Sequence, residues 1–184
     1  MERKSGRVRL EITSLSQADL PEVLEIECQS HLEPWTEELF MEELRRLHSR
    51  ILTARIPRME LAGEEREKSG HRPGKIVGYI CFWRVADEIQ ILNIAVHGQY
   101  RRKGVGRFLL SNVLRLGREQ RAKLAVLEVR RSNRAARMLY ESLGFRQVGE
   151  RPNYYGVLKE SAVLMELEFD RRMEPGASAR QNRF

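Results

Sequence analysis

The 184-residue chain is 41% hydrophobic and 32% charged, which suits one domain burying roughly 70% of its unfolded surface. It has no run of 18 apolar residues and no apolar signal-peptide core. Cys28, Cys81, His31, His48, His71 and His97 show no metal-ligand spacing, so neither a membrane span nor a metal centre nor an exported disulfide scaffold is expected, and the cysteines read as buried thiols of a cytoplasmic protein.

The net charge of +7 comes mostly from the ends. Residues 1–9 and 171–184 carry +3 each, whereas residues 10–44 hold ten acids and no Lys or Arg, which leaves +11 on residues 45–170. The acidic part should attract a cation and the rest an anion. Basic ends alone do not require a nucleic-acid partner.

Residues 8–12 alternate apolar and polar and read as a first strand. Ser16 or Asp19 can cap a helix that carries Pro21 in its first turn and buries Leu20, Val23, Leu24 and Cys28. After Pro34 and Trp35, Thr36 caps a second helix with Leu39, Phe40, Leu44 and Leu47 inward. Residues 51–56 form a strand that Pro57 ends. Residues 57–74 hold four glutamates, three glycines and two prolines and read as a long mobile loop.

Residues 75–85 and 89–96 read as an antiparallel hairpin turning near Asp87. A helix over 104–119 follows, with Val105, Phe108, Leu109, Val113 and Leu116 on one face. Residues 124–129 are another strand. Ser132 or Asn133 caps a helix that carries Ala136, Leu139, Tyr140 and Leu143, and Gly144 stops it. Residues 145–148 and 163–169 are the last strands, joined by a polar connection over 151–155. The result is an α/β fold, a mixed and mostly antiparallel sheet with helices on both faces. It spans one domain over 8–170, with basic flexible ends at 1–7 and 171–184.

The stretch over 92–107 is the most informative. A buried strand runs into a turn with four cations, Arg101, Arg102, Lys103 and Arg107, around Gly104 and Gly106, and a helix starts at once. Outward N–H groups, the helix dipole and glycines that let an anion approach make a phosphate site. The spacing is neither a dinucleotide fingerprint nor a Walker A loop. It resembles the pyrophosphate turn of the GNAT superfamily of N-acetyltransferases, which implies acetyl-coenzyme A as co-substrate.

The segments Asn93-Ile-Ala-Val96, Arg101 to Arg107, Leu127-Glu-Val-Arg-Arg-Ser-Asn133 and Leu139-Tyr-Glu-Ser-Leu-Gly-Phe145 together resemble the RimI branch of that superfamily. Pro34-Trp35-Thr36 and Arg151-Pro-Asn-Tyr-Tyr155 resemble it too. This branch comprises the ribosomal-protein-alanine N-acetyltransferases. The resemblance implies acetyl transfer to a protein N-terminal α-amine, with a ribosomal protein as acceptor and a monomeric enzyme. Acceptors of another kind, a lysine side chain or a small amine, stay open, as does a binding module carried by the basic ends.

Glu128 is the lone acid of an apolar strand. It suits a general base whose carboxyl is raised by partial desolvation, or a carboxylate paired with Arg130 or Arg131. The resemblance favours the base. It also implies that Tyr140 donates a proton to the leaving thiolate, although a tyrosine on an apolar helix face is as readily core. By the same resemblance the strands bearing Ile94 and Glu128 are parallel neighbours that splay apart. The pantetheine arm then pairs with Ile94, Ala95 and Val96. The pyrophosphate meets Arg102, Lys103, Gly104, Val105, Gly106 and Arg107. Asn133 either binds the arm or caps its helix. Trp35, Tyr154 and Tyr155 either wall a peptide groove or simply pack.

Overall fold

The computed structural model describes residues 9–61, 74–156 and 159–169. Its seven strands are β1 (Glu11–Ser14), β2 (Ser49–Pro57), β3 (Gly74–Val85), β4 (Glu88–Val96), β5 (Leu124–Arg130), β6 (Arg146–Tyr155) and β7 (Glu160–Glu168). They form one sheet in the order β1-β2-β3-β4-β5-β7-β6. Only β4 and β5 pair in parallel, because the chain between them must cross over through a helix.

The helices are α1 (Leu20–Cys28), α2 (Glu37–Arg45), α3 (Val105–Glu119) and α4 (Arg134–Glu141). Helices α1 and α2 cover one face through Leu20, Val23, Ile26 and Phe40. Helices α3 and α4 cover the other through Val105, Leu109, Val113 and Tyr140. The expected mixed sheet with helices on both faces is therefore what forms.

Several boundaries differ from the sequence reading. Strand β1 starts at Glu11. Strand β6 runs through to Tyr155, so residues 151–155 are strand and not a polar connection, because pairing with the apolar β7 recruits them. Arg58–Glu60 form a short 3-10 turn and Leu61 is buried. The rest of the expected mobile loop, residues 62–73, lies outside the described residues, as do Val8 and the ends 1–7 and 171–184.

Leu39 is 43% exposed and Leu47 92% exposed, against the expectation for α2. The helix stops at Arg45, keeps Phe40 inward as expected and turns Glu43 inward beside it, and Trp83 Nε1 donates to Glu43 at 2.6 Å. Cys28 is exposed and only Cys81 is a buried thiol. The last turn of α1 presents Glu27, not Cys28, to the sheet.

The start of α1 is fixed by a buried ion pair. Arg55 on β2 reaches Asp19 at 2.6 Å and also donates to Thr13. Burial alone would raise the Asp19 carboxyl, but hydrogen bonds from Arg55 and Ser16 reverse this and hold it below its usual value. A carboxyl depressed on folding contributes stability above its unfolded pKa and loses it as pH falls through the folded one. Asp19→Asn should therefore cost about 3 kcal/mol near pH 7 by stranding the Arg55 charge. In urea unfolding the gap from the parent should narrow below pH ~4, the usual carboxyl range, where the parent loses the same interaction. A gap that stays constant with pH would contradict this account.

Candidate active site

Strand β4 holds the decisive irregularity. Cys81 faces Asn93 and Phe82 faces Ile91, so Leu92 is an extra residue without a partner across the pair. Such a bulge bends the strand and swaps the faces its side chains address. Ile89 and Ile91 join the α3 side, whereas Ala95 joins the α1 side.

The parallel pairing with β5 ends at the same level. Ile91–Leu127 is the last pair. Beyond it β5 stays paired only with β7, through Glu128–Leu164 and onward. Residues 93–96 keep only their β3 partners. A wedge opens there, and Glu128 is the first β5 residue inside it. Along the free side of β4, the Val96 carbonyl accepts from Arg101 Nε at 3.1 Å.

At the wide end of the wedge, residues 101–104 turn into α3. Gly104 takes φ +86°, a left-handed conformation that suits glycine. A Cβ on Gly106 would lie 3.2 Å from Leu139 of α4. The first N–H groups of α3 are thus presented beside Arg102, Lys103 and Arg107. Arg107 donates to Ser142 at 2.6 Å, and Lys103 lies 5.1 Å from the centre of the Tyr100 ring. The pattern is that of an anion cradle.

Around Glu128 the structure brings several candidate residues together. Ala125, Leu127 and Val129 of β5 join the core on the α3 side, so the alternate residues Glu128 and Arg130 face the α1–α2 side. Glu128 pairs with Arg151 at 2.9 Å, not with Arg130 or Arg131, because β6 extends far enough to bring Arg151 across. Tyr154 hydrogen-bonds the same carboxylate, and that bond, with burial, raises its phenol. Burial also raises Tyr155, which feels the charges of Arg130 and Glu128.

Tyr140 approaches from the α3–α4 face. It is 4% exposed and lies against Phe145 at a ring separation of 5.9 Å. Burial raises its phenol, and Tyr155 is its electrostatic neighbour. Tyr155 is thus an electrostatic neighbour of Glu128 as well as of Tyr140. Among the described residues nothing hydrogen-bonds the Tyr140 hydroxyl.

The comparisons with known proteins fit this geometry. The model of the acetyltransferase (GNAT) family matches residues 20–145. The chain belongs to that family. Ribosomal protein bS18-alanine N-acetyltransferase of Escherichia coli is 34% identical over 158 residues, 85% of this chain and 95% of the relative. N-alpha-acetyltransferase RimI of Mycobacterium tuberculosis is 33% identical over 160 residues, 84% of this chain and 89% of the relative. The crystal structure of the E. coli ribosomal-protein-S18-alanine N-acetyltransferase superposes with a TM-score of 0.72 at 30% identity, covering 90% of this chain and 99% of that one.

This GNAT acetyltransferase places its other candidate residues unevenly. Asn133 caps α4, its side-chain oxygen accepting from Ala136 N–H at 3.1 Å. That is the capping reading, and it leaves the amide NH2 for another acceptor. Trp35 is half-buried with its ring 5.4 Å from Phe40. Tyr154 is 48% exposed and meets Tyr155 edge-on.

Sequence reasoning missed Arg130 and Glu27. Arg130 reaches Glu33 at 2.7 Å and Glu160 at 3.6 Å, and its guanidinium lies 3.9 Å from the centre of the Tyr155 ring. It ties the α1–α2 connection to β5 and to the β6–β7 hairpin. Glu27 is fully buried. The signal for it was present, since it falls on the apolar stripe set by Leu20 and Val23.

Proposed function

We propose that the enzyme transfers the acetyl group of acetyl-coenzyme A to the α-amine of a protein N-terminus, in the first instance the N-terminal alanine of ribosomal protein bS18. The observation that carries this reading is the wedge between β4 and β5 with Glu128 just inside its vertex. The named activity of the E. coli relative supports the choice of acceptor.

The residues present fit acetyl-coenzyme A. Ile94, Ala95 and Val96 offer backbone groups with no β5 partner to the pantetheine arm, and the Asn133 amide can reach the same arm. The N–H groups of 102–107 take the pyrophosphate, with Arg102, Lys103 and Arg107 supplying charge. When bound, acetyl-coenzyme A supplies an activated acyl group as a thioester.

The acceptor arrives from the α1–α2 side, walled by Trp35, Tyr154 and Tyr155. A protein α-amine has a reference pKa of ~7.7–8.0 and is mostly ammonium at neutral pH. Glu128 takes its proton, directly or through water. The amine nitrogen bonds to the acetyl carbon and passes its second proton to solvent, from which the Tyr140 phenol is restored after transfer, and the carbon–sulfur bond breaks. Tyr140, on the opposite face, gives its phenolic proton to the departing sulfur. The acid-rich stretch 10–44 favours the basic N-terminus of a ribosomal protein.

The test is mass spectrometry of Ala-, Ser-, Met- and Lys-containing peptides incubated with acetyl-coenzyme A. A gain of roughly 42 mass units on the α-amine of the alanine peptide marks the acyl transfer expected. Modification confined to lysine side chains, or to small amines, would replace the acceptor assignment.

The coenzyme turn yields its own prediction. Gly104→Ala places a Cβ in a left-handed conformation costing about 1–2 kcal/mol, and Gly106→Ala pushes α3 against Leu139. Each should weaken coenzyme A binding about tenfold. Arg102→Ala or Arg107→Ala removes one solvated charge and should cost about fivefold or less. Equal affinities for the two kinds of variant, measured by calorimetry, would contradict the primacy of backbone geometry.

A further inference from the structure

The acetyl-transfer mechanism leaves the Glu27 cluster unused. The Glu27 carboxylate, 0% exposed, accepts from Trp35 N–H at 2.8 Å and from Asn93 Nδ2 at 3.1 Å on one oxygen. The Tyr79 hydroxyl donates to the other oxygen, and His31 Nε2 lies 3.3 Å from it. The three hydrogen-bond donors, Trp35, Tyr79 and Asn93, come from the α1–α2 connection, from β3 and from the first residue of β4 past its bulge, whereas His31 Nε2, also in the connection, approaches without a hydrogen bond.

Stability does not require an acid here. Glu27 lies at the C-terminal end of α1, where the helix dipole disfavours an anion. Buried ionic groups are commonly replaceable by apolar ones without loss. What the carboxylate does uniquely is hold several donors from separate elements at one point.

The α1–α2 connection shows what that point fixes. Near its start, Ser30 accepts from Arg101 of the coenzyme turn at 3.0 Å. Glu33 pairs with Arg130, two residues beyond Glu128 on β5. Trp35 hangs by its N–H from Glu27, which also grips Asn93 where β4 leaves β5. The connection therefore bridges the wedge and is anchored on the coenzyme turn, β5 and β4.

We propose that Glu27 is a positioning residue for acetyl transfer. Its carboxylate sets the acceptor wall bearing Glu33 and Trp35 relative to the freed half of β4, and so governs acceptor affinity and alignment. The proposal rests on the reading that the acceptor lies beside Trp35.

Glu27→Gln tests it. The amide can keep its oxygen toward Trp35 and Asn93, but it turns a donor toward Tyr79 and His31 and loses the charge. Acceptor kcat/KM should fall about tenfold or more through misplacement, mostly in KM, while the Kd for acetyl-coenzyme A changes less than about twofold. Hydrogen exchange at the Trp35 amide should accelerate. A purely structural role would lower the folded fraction and leave both KM values unchanged in what remains. That result, or an unchanged acceptor KM with undisturbed Trp35 exchange, would overturn the proposal.

If Glu27→Gln does not fold, Tyr79→Phe keeps the carboxylate and removes one donor. It should give the same acceptor-specific change at about threefold to fivefold, and an unchanged acceptor KM in Tyr79→Phe would equally overturn the proposal. If the parent enzyme acetylates lysine or small amines instead of the alanine peptide, the functional reading falls. The KM comparison with the amine it does use still judges Glu27.

Discussion

Glu128→Gln should lower kcat by about a hundredfold or more, the scale of a lost general base, with the fold intact. Glutamine preserves the volume and can still accept from Tyr154, so packing at the wedge survives. What disappears is the capacity to take a proton from the incoming ammonium. The ion pair with Arg151 also goes, but its members are 56% and 27% exposed, and such pairs are worth about 0–1 kcal/mol. Unfolding free energy should therefore move by less than about 1 kcal/mol.

Arg151→Gln separates the two roles of this carboxylate. It breaks the same ion pair and leaves the acid in place. An amine approaching Glu128 meets the Arg151 guanidinium there first, 2.9 Å from the oxygen it needs. Removing that competitor should leave kcat within about tenfold of the parent, far above Glu128→Gln on the general-base scale. Rapid-quench single turnovers isolate the chemical step from product release. Equal losses in both variants would assign the effect to the ion pair and remove Glu128 as base. Near-normal turnover in Glu128→Gln would do the same more directly.

Much of this site could be read from letters because local patterns carry it. The run into Val96, the cations around Gly104 and Gly106, and the apolar stripe of α3 each depend on neighbours in sequence, and the structure keeps all three. The lone acid at 128 was visible for the same reason. Its partner was not. Arg151 reaches it only because β6 pairs with β7 through Tyr155, a contact between strands that no local pattern encodes.

The bulge at Leu92 was hidden in a different way. Ile89, Ile91, Asn93 and Ala95 keep an unbroken two-residue spacing, which promises one shared face. The extra residue sends the second pair to the other face. Periodicity cannot reveal that, since the cause is the pairing with β3. Glu27 illustrates the opposite error. Among ten acids without a base it looked like one more solvated glutamate, yet its place on the apolar stripe of α1 was the sign of burial. Leu39 failed because a two-turn helix that buries Phe40 can rotate to bury Glu43 with it, and Trp83, which receives Glu43, is 40 residues away from it.

Tyr140→Phe should slow turnover by about a hundredfold without loss of stability, and the pairing of these two results is what distinguishes an acid from a core aromatic. The ring stays, with its contacts to Phe145. The hydroxyl has no hydrogen-bond partner among the described residues, so its removal strands nothing, and unfolding free energy should hold within about 1 kcal/mol or rise. In water the transfer looks uphill, since a phenol has a reference pKa of ~10 and a cysteine thiol ~8.5. Inside the wedge, a thiolate leaving beside Tyr140 would be desolvated as the phenol is, and burial raises the basicity of both. Because burial raises the Tyr140 phenol, it stays protonated at and beyond the pH where a free tyrosine ionises. The parent should thus show no loss of kcat from phenol ionisation up to pH ~10. An alkaline fall with a midpoint well below that, still present in Tyr140→Phe, would belong to another group. A Phe variant with parental kcat and parental stability would return Tyr140 to the core and leave the thiolate to be protonated from solvent.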